Sequence, residues 1–474
     1  MADLITADLC VLGAGSAGLT IAAGASQMGA KTVLIERAAM GGDCLNFGCV
    51  PSKALLAAAH AAEAVRRAGR FGIRTAAPTI DFAAVHRHVH GVIASIAPND
   101  SVERFTGLGV HVIQDTARFT GPDEVAAGPH RIRARRFVIA TGSSAFVPPI
   151  PGLDATPYLT NETIFDLTTC PRHLIVVGGG PIGCELAQAH RRLGSEVTII
   201  EMASVLPKDD PELVEIVRTR LRAEGIAIME GTSLRRAERR GDGVAVQVLR
   251  DGQESWVEGS HLLLAVGRRA NLADLGLEAA GIAATPQGIT VDRRLRSTNR
   301  RVYAAGDAAG GPQFTHIASY HAGIVLRNAL FRIPAKVDLR ALPWVTYTDP
   351  ELAQVGLSEG AARERHGIIR ILRWPFAEND RAQTERTTDG FIKAITDRRG
   401  RILGATIVGP AAGELIHAWG LALAGRMRIG AIAGMIAPYP TLGEVGKRAA
   451  GSYYTPTLFS ERTRRLVRFL ARFG

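Results

Sequence analysis

Residues 7–36 read ADLCVLGAGSAGLTIAAGASQMGAKTVLIE. Ala7–Leu12 is an apolar run of strand character. It enters a turn carrying Gly13, Gly15 and Gly18, with Ser16 at the start of a helix of small residues, and KTVLIE at 31–36 reads as the next strand. The order strand, glycine turn, helix, strand predicts a βαβ unit. Glycines at this spacing permit a tight turn and let backbone N–H groups approach a pyrophosphate at the helix N-terminus. Glu36 lies about 20 residues beyond the turn, where a carboxylate meets a ribose 2′-OH.

The arrangement recurs at 173–201, HLIVVGGGPIGCELAQAHRRLGSEVTIIE, with Gly178, Gly180 and Gly183, Ile182 inside the turn, and Glu201 closing the next strand. Two complete copies imply two dinucleotides, read as FAD at the first site and a nicotinamide cofactor at the second. The expected fold class is α/β, with two Rossmann-like dinucleotide-binding domains (FAD and NAD). After Glu201 comes MASVLPK, which offers Lys208 and no arginine. A 2′-phosphate wants an Arg whereas a 2′-OH is served by a carboxylate, so NADH is expected over NADPH.

Between the two copies lies GGDCLNFGCVPSKALLAAAHAAEAV at 41–65, where Cys44 and Cys49 are four residues apart and a helix follows. The spacing suits an intramolecular disulfide, and a helix N-terminus would stabilise a thiolate at Cys49. A zinc site would need two more ligands, and the other cysteines, Cys10, Cys170 and Cys184, stand alone in strand and helix patterns. A redox pair is the better reading, and no metal site is assigned.

At 474 residues with 46% hydrophobic content the chain can bury a sizeable core. Five cysteines are too few for a secreted disulfide framework, the start MADLITADLC lacks a basic n-region, and no apolar run reaches the ~20 residues a membrane span needs. A cytoplasmic location is expected. The formal charge of +11 is spread along most of the chain, so nucleic-acid binding is not expected.

The chain resembles the class I pyridine nucleotide–disulfide oxidoreductases, which include dihydrolipoyl dehydrogenase, glutathione reductase and mercuric reductase. The resemblance covers essentially the whole chain and rests on GAGSAG, GGDCLNFGCVPSK, ATGS at 140–143, GGGPIGCELA, AVGRR at 265–269, VYAAGDAAG at 302–310, TDPELAQVGLSE at 348–359 and YPTLGE at 439–444. It implies an FAD domain over 1–150, an NAD domain over 151–270, a segment over 271–344 completing the FAD site, and a C-terminal α+β dimerisation domain over 345–474. It further implies a homodimer that passes electrons to a small-molecule acceptor. In that scheme Cys49 sits against the flavin, Cys44 attacks the substrate, and Lys53 lies near flavin N5, paired with Glu185. Asp307 contacts the FAD ribitol and pyrophosphate region. Arg37, Gly42, Thr141, Gly142, Gly267 and Thr315 complete the residues implied at the cofactors.

Three departures bear on the substrate. Disulfide reductases of this family usually carry His in HPTxxE, and that base, oriented by the Glu, shuttles a proton at the substrate thiol. Here Tyr439 and Glu444 stand in its place, and an unperturbed Tyr titrates near 10. His316 and His321 are not expected to replace the base. Mercuric reductases are similar here, and a soft ion held by thiolates needs no proton shuttle, so a mercuric-reductase-like subgroup is favoured although no cysteine follows Cys184. Asp43 occupies a position commonly Thr. Pro181 stands where many relatives have an aromatic residue. The alternatives are dihydrolipoyl dehydrogenase and a slowly turning, redox-responsive regulatory flavoprotein.

The end of the chain, SERTRRLVRFLARFG, reads as a basic amphipathic helix. It is expected to pack on the dimer with its arginines solvated. Contact with a membrane surface or an acidic partner is the lesser alternative.

Overall fold

The apolar run ahead of the first glycine turn forms strand β1 (Asp3–Leu12), four residues longer at its start than its apolar part. The extension is mostly exposed, with Ile5 half-buried against a core, and it pairs throughout: Asp3 to Ala7 lie in parallel register with His130 to Ala134 of β6 (His130–Ile139). Backbone hydrogen bonding, helped by Ile5, carries the strand outward there.

A computed structural model of the chain describes residues 3–473. The fold is α/β and divides into two units. The first comprises the chain to Gly178, Ala189–Ile200 and Thr232–Val337, and the second comprises Gly179–Gln188, Glu201–Gly231 and the chain from Asp338.

In the first unit, the strands β2 (Thr32–Glu36), β3 (Val110–Gln114), β4 (Ala117–Gly121) and β5 (Glu124–Ala127) join β1 and β6 in one sheet of order β3-β2-β1-β6-β5-β4. The long β6 serves two neighbours on one side, β5 along its first half and Val302–Ala304 along its second. That second pairing carries the 302–310 motif to the end of β6, beside the ATGS turn. Along β1 the side chains alternate between two cores: Leu9 and Val11 pack with Ala22, Ala318 and Val325, while Cys10 and Leu12 pack with Phe119 and Phe137. Both faces are covered, as a parallel sheet requires. Helix α1 (Ser16–Gln27) lies against Thr315–Ala329 through small residues, among them Ala22 and Ala25 facing Ala322 and Val325.

The first unit also holds the parallel strands Glu196–Ile200, His173–Val177 and His261–Leu264, paired in that order. Three antiparallel strands, Thr232–Arg240, Gly243–Arg250 and Gln253–Gly259, follow. A short antiparallel link, Ser143–Ala145 with Arg268–Ala270, ties the ATGS and AVGRR segments together.

The second unit is built on a five-stranded antiparallel sheet ordered Pro343–Thr346, Glu351–Gly356, Ile402–Gly409, Phe391–Asp397 and Ile369–Pro375. Helix Ala412–Ala424 closes one face, burying Ile416 and Trp419 against Ala353, Ile392 and Ile407. This is the α+β C-terminal domain read from the sequence.

Candidate functional site

The first glycine turn has the shape a pyrophosphate requires. Gly13 takes φ +103°, and a Cβ there would lie 2.4 Å from the carbonyl oxygen of Ala140, so only glycine makes this turn against β6. A Cβ on Gly18 would lie 1.8 Å from the Gly13 carbonyl, so the helix can begin this close to the strand only without a side chain. At Gly15, by contrast, a Cβ would meet nothing nearer than the Gly42 Cα at 3.9 Å. The open position is the one where a phosphate would approach the backbone. Glu36 bends back over the turn, accepting N–H groups from Ala14 at 2.6 Å and Ala38 at 2.8 Å. Arg37 beside it is exposed.

The second turn repeats these features. Gly178 has φ +110° and a Cβ there would lie 2.3 Å from the Ala265 carbonyl, whereas a Cβ on Gly180 would find open space. Glu201 accepts from the N–H of Gly179 at 2.6 Å and of Ala203 at 2.8 Å, as Glu36 does in the first copy. Helix Pro181–Leu193 carries Ile182 exposed and Gly183 buried. Gly267, with φ +114°, also has open space at its Cβ position. Both turns therefore fit dinucleotides.

Helix α2 (Gly42–Asn46) holds Cys44, and α3 (Cys49–Arg67) begins at Cys49. Gly42 packs on Gly15, where its Cβ would lie 2.6 Å from the Gly15 Cα, so the cysteines are held beside the first glycine turn. Neither sulfur is drawn into a disulfide. Cys49 is exposed and its Sγ is 3.4 Å from the Thr315 hydroxyl. Its pKa is lowered to about 6, chiefly by a hydrogen bond from the Cys44 thiol, with the Thr315 hydroxyl and the Lys53 ammonium assisting against the partial desolvation of its sulfur by surrounding atoms. Cys44 is pushed the other way because it shares its proton with Cys49 and is partly buried, although hydroxyls of Thr315 and Ser16 lie beside it. When reduced, the pair favours a thiolate on Cys49 and a thiol on Cys44. Thr315, expected at the cofactor, serves the sulfurs, and so does Ser16. Lys53 also reaches the Ser52 hydroxyl at 3.4 Å.

A chain of polar contacts runs from the cysteine helix to Asp307, and it was not foreseen. Arg268 pairs with Asp43 at 2.8 Å, and its other donors reach the Ser143 hydroxyl at 2.8 Å and the Ser143 carbonyl at 2.6 Å. Ser143 in turn donates to Asp307 at 2.5 Å. Asn161 adds a second donor to Asp43 at 2.9 Å. Burial raises the Asp307 pKa, opposed by the Ser143 bond and Arg268. Asp43, noted only as a departure from Thr, is thus the carboxylate that anchors Arg268. Thr141 donates its hydroxyl to the Asn271 carbonyl at 2.7 Å, and Gly142, φ +68°, accepts the Asn271 N–H at 3.0 Å. These bonds shape the ATGS turn.

His321 is buried, and its Nδ1 accepts the Gly306 N–H at 3.2 Å. Burial lowers its pKa to about 4, so the ring is neutral. In the unfolded chain it titrates near 6.5. Its stabilising effect is complete above about 6.5 and is lost as pH falls toward 4, by up to ~3 kcal/mol. Thermal melts at pH 7 and pH 5 should show this loss, and a His321→Gln protein should show a smaller pH dependence; equal dependence in both proteins would refute the assignment.

In the second unit, the buried Glu185 accepts the Tyr347 N–H at 2.9 Å. Tyr439 is 69% exposed and donates its hydroxyl to Asp380 at 2.9 Å. That bond raises its pKa further above 10. Glu444 opens helix Glu444–Ser452. His316 stacks on Phe314 in the first unit. Burial raises the thiols of Cys10 and Cys184 and makes them inert, with Cys184 donating to the Gly179 carbonyl. Among the described residues no group of three or more His, Cys, Asp or Glu is placed to hold a metal ion.

The family model for pyridine nucleotide-disulphide oxidoreductases matches residues 7–322, and that of the family's dimerisation domain matches 342–450. The chain is similar to mercuric reductase of Bacillus cereus, 36% identical over 440 residues, covering 92% of this chain and 70% of that protein. It is comparably similar to dihydrolipoyl dehydrogenase of Geobacillus stearothermophilus, 35% identical over 457 residues, covering 94% and 96%. Among solved structures, LpdA of Mycobacterium tuberculosis superposes with a TM-score of 0.86 at 28% identity, covering 94% of this chain and 99% of that one. The HOCl-induced flavoprotein disulfide reductase RclA of Escherichia coli, solved as a Cu(II) complex, gives 0.84 at 29%, covering 93% and 98%.

Proposed function

Because the chain belongs to the pyridine nucleotide-disulphide oxidoreductase family and is an FAD-dependent enzyme, we propose that it carries electrons from NADH through FAD to Cys44 and Cys49. From there they pass to a disulfide or, in preference, to a soft electrophile such as Hg(II). Bound FAD supplies the two-electron exchange between the nicotinamide and the sulfurs. Gly13, Gly15, Gly18 and Glu36 would hold FAD, with Asp307 at its ribitol and pyrophosphate region. Gly178, Gly180 and Glu201 would hold NADH, a preference supported by the free 2′-OH that a carboxylate at 201 suits. The dimerisation-domain match supports a homodimer, and the cysteine usage supports a cytoplasmic location.

The observation that carries the acceptor preference is Tyr439 standing in the position of the family's histidine base. Tyr439 donates its hydroxyl to Asp380 and its pKa lies above that of a free tyrosine. A disulfide substrate needs its leaving thiolate protonated and the Cys44 thiol deprotonated, both near neutrality. The Cys44 thiol is the harder of the two to ionise. A soft metal ion bound by both sulfurs displaces that proton itself, since a coordinating thiol is deprotonated outright. No base is then required.

The test compares NADH oxidation with Hg(II) in excess thiol against lipoamide, in the unaltered protein and in Tyr439→His. We expect Hg(II)-dependent oxidation in the first, and in the second a gain of about a hundredfold with lipoamide, the low end of general-base effects. Fast lipoamide turnover by the unaltered protein, without Hg(II)-dependent oxidation, would overturn the preference.

A further inference from the structure

The helix Glu461–Leu470 lies beyond residue 450, where the match to the dimerisation domain ends. It is a built helix rather than a loose tail. Ser460 caps it, accepting the Thr463 N–H at 3.2 Å, and the Thr463 hydroxyl donates to the Thr457 carbonyl at 2.7 Å. None of its residues is buried. At 100° per residue, Arg464, Arg465, Arg468 and Arg472 fall on one arc with Glu461, while Leu466, Phe469, Leu470 and Phe473 fall on the opposite one, which Arg462 shares. Those four apolar side chains are 54%, 54%, 54% and 73% exposed, and Leu458 and Phe459 just before the helix are 57% and 68% exposed. So broad an exposed apolar face, rimmed by cations, calls for an occupant.

We propose that this helix is a docking element for an anionic lipid surface, lying in the headgroup plane with its phenylalanines and leucines turned into the acyl boundary. Three observations favour that occupant. First, every cation of the segment is arginine, whose planar fork engages phosphate oxygens two at a time. Second, the partner must be negative and apolar at once, and a phospholipid surface is both. Third, a second copy of this chain complements the helix poorly. Paired two-fold through its apolar face, the helix would leave its arginine arc turned away from the partner, so the basic face would have no role in the contact. The helix is also suited to lying on a membrane rather than crossing it, because among the described residues no helix is long and apolar enough to span one. Such docking would hold the reductase where electrophiles cross or accumulate at the membrane.

The experiment is co-sedimentation of the FAD-loaded full chain with vesicles of phosphatidylcholine containing about 30% phosphatidylglycerol, against vesicles of phosphatidylcholine alone. We expect binding to the anionic vesicles, weakened by salt, and at least a tenfold loss in either of two variants. Phe469→Glu/Leu470→Glu disrupts the apolar face, and Arg464→Glu/Arg468→Glu inverts the basic one. Both variants should retain the parent's gel-filtration volume and its rate of FAD reduction by NADH. The proposal is overturned if the parent does not bind, if the variants bind as well as the parent, or if the apolar-face variant becomes a smaller species. The last outcome would assign the helix to contact between copies, and a parent that fails to bind vesicles would leave an acidic protein as the occupant.

Discussion

Cys49→Ser should lower NADH-driven reduction of disulfides and of Hg(II) by about a thousandfold or more, while FAD content and NADH-dependent reduction of ferricyanide persist. Losses of that order are usual when one member of a reacting unit is removed. The lone Cys44 cannot cycle between disulfide and dithiol, the exchange by which the pair takes up and releases two electrons, and a serine hydroxyl cannot ionise near neutrality. The structure adds a pH signature. The Cys49 pKa is lowered to about 6 by the Cys44 thiol, the Thr315 hydroxyl and Lys53, so the anion is present above that value and lost below it. A long-wavelength absorbance band of the two-electron-reduced protein should therefore persist from pH 8 to near 6, fade below, and be missing at every pH in Cys49→Ser. Lys53→Met should move the fading point to higher pH, since it removes a cation that favours the thiolate. Identical bleaching of the parent and Cys49→Ser on NADH addition would place the cysteines outside the electron path and leave a simple flavin reductase.

Much of this arrangement was readable from the chain because it is local. A glycine turn, the strand before it and the carboxylate after it lie within thirty residues, and the backbone geometry that demands them leaves little choice of residue type. The placement of Cys49 at a helix start was readable for the same reason, from the apolar periodicity after it. The contacts among Asp43, Arg268, Ser143 and Asp307 were not readable. Arg268 meets Ser143 across 125 residues and Ser143 meets Asp307 across 164. They meet because β6 pairs with Val302–Ala304 and because Ser143–Ala145 pairs with Arg268–Ala270. Asp43 showed itself in the sequence only as an unusual residue. The amphipathic period of the last helix was also legible, but its lack of any cover within the chain was not, because exposure is a property of the packed fold.

Gly15 and Gly18 should part company when each is replaced by alanine. A methyl on Gly18 would lie 1.8 Å from the Gly13 carbonyl oxygen and 2.9 Å from its carbon. Both are backbone atoms of the turn, so relief requires moving α1 or β1, each fixed in a buried core. Overpacking against backbone in this way costs more than the usual ~1–3 kcal/mol of a crowded core. Gly18→Ala should be recovered with little FAD and with a lowered melting temperature even when FAD is in excess. A methyl on Gly15 meets only the Gly42 Cα at 3.9 Å. The flavin-free Gly15→Ala protein should therefore melt close to the flavin-free parent, its cost being at most a few tenths of a kcal/mol at an uncrowded site. The same methyl occupies the place where a phosphate would meet the backbone, so FAD should bind about tenfold or more weakly, which removes roughly 1.4 kcal/mol of ligand stabilisation from the loaded protein. Flavin titration of the apoproteins, with melts of the apo and loaded forms, separates the two outcomes. If Gly15→Ala binds FAD as tightly as the parent, the open position at residue 15 is not the pyrophosphate seat, and the first turn is a structural βα corner whose glycines answer only to packing.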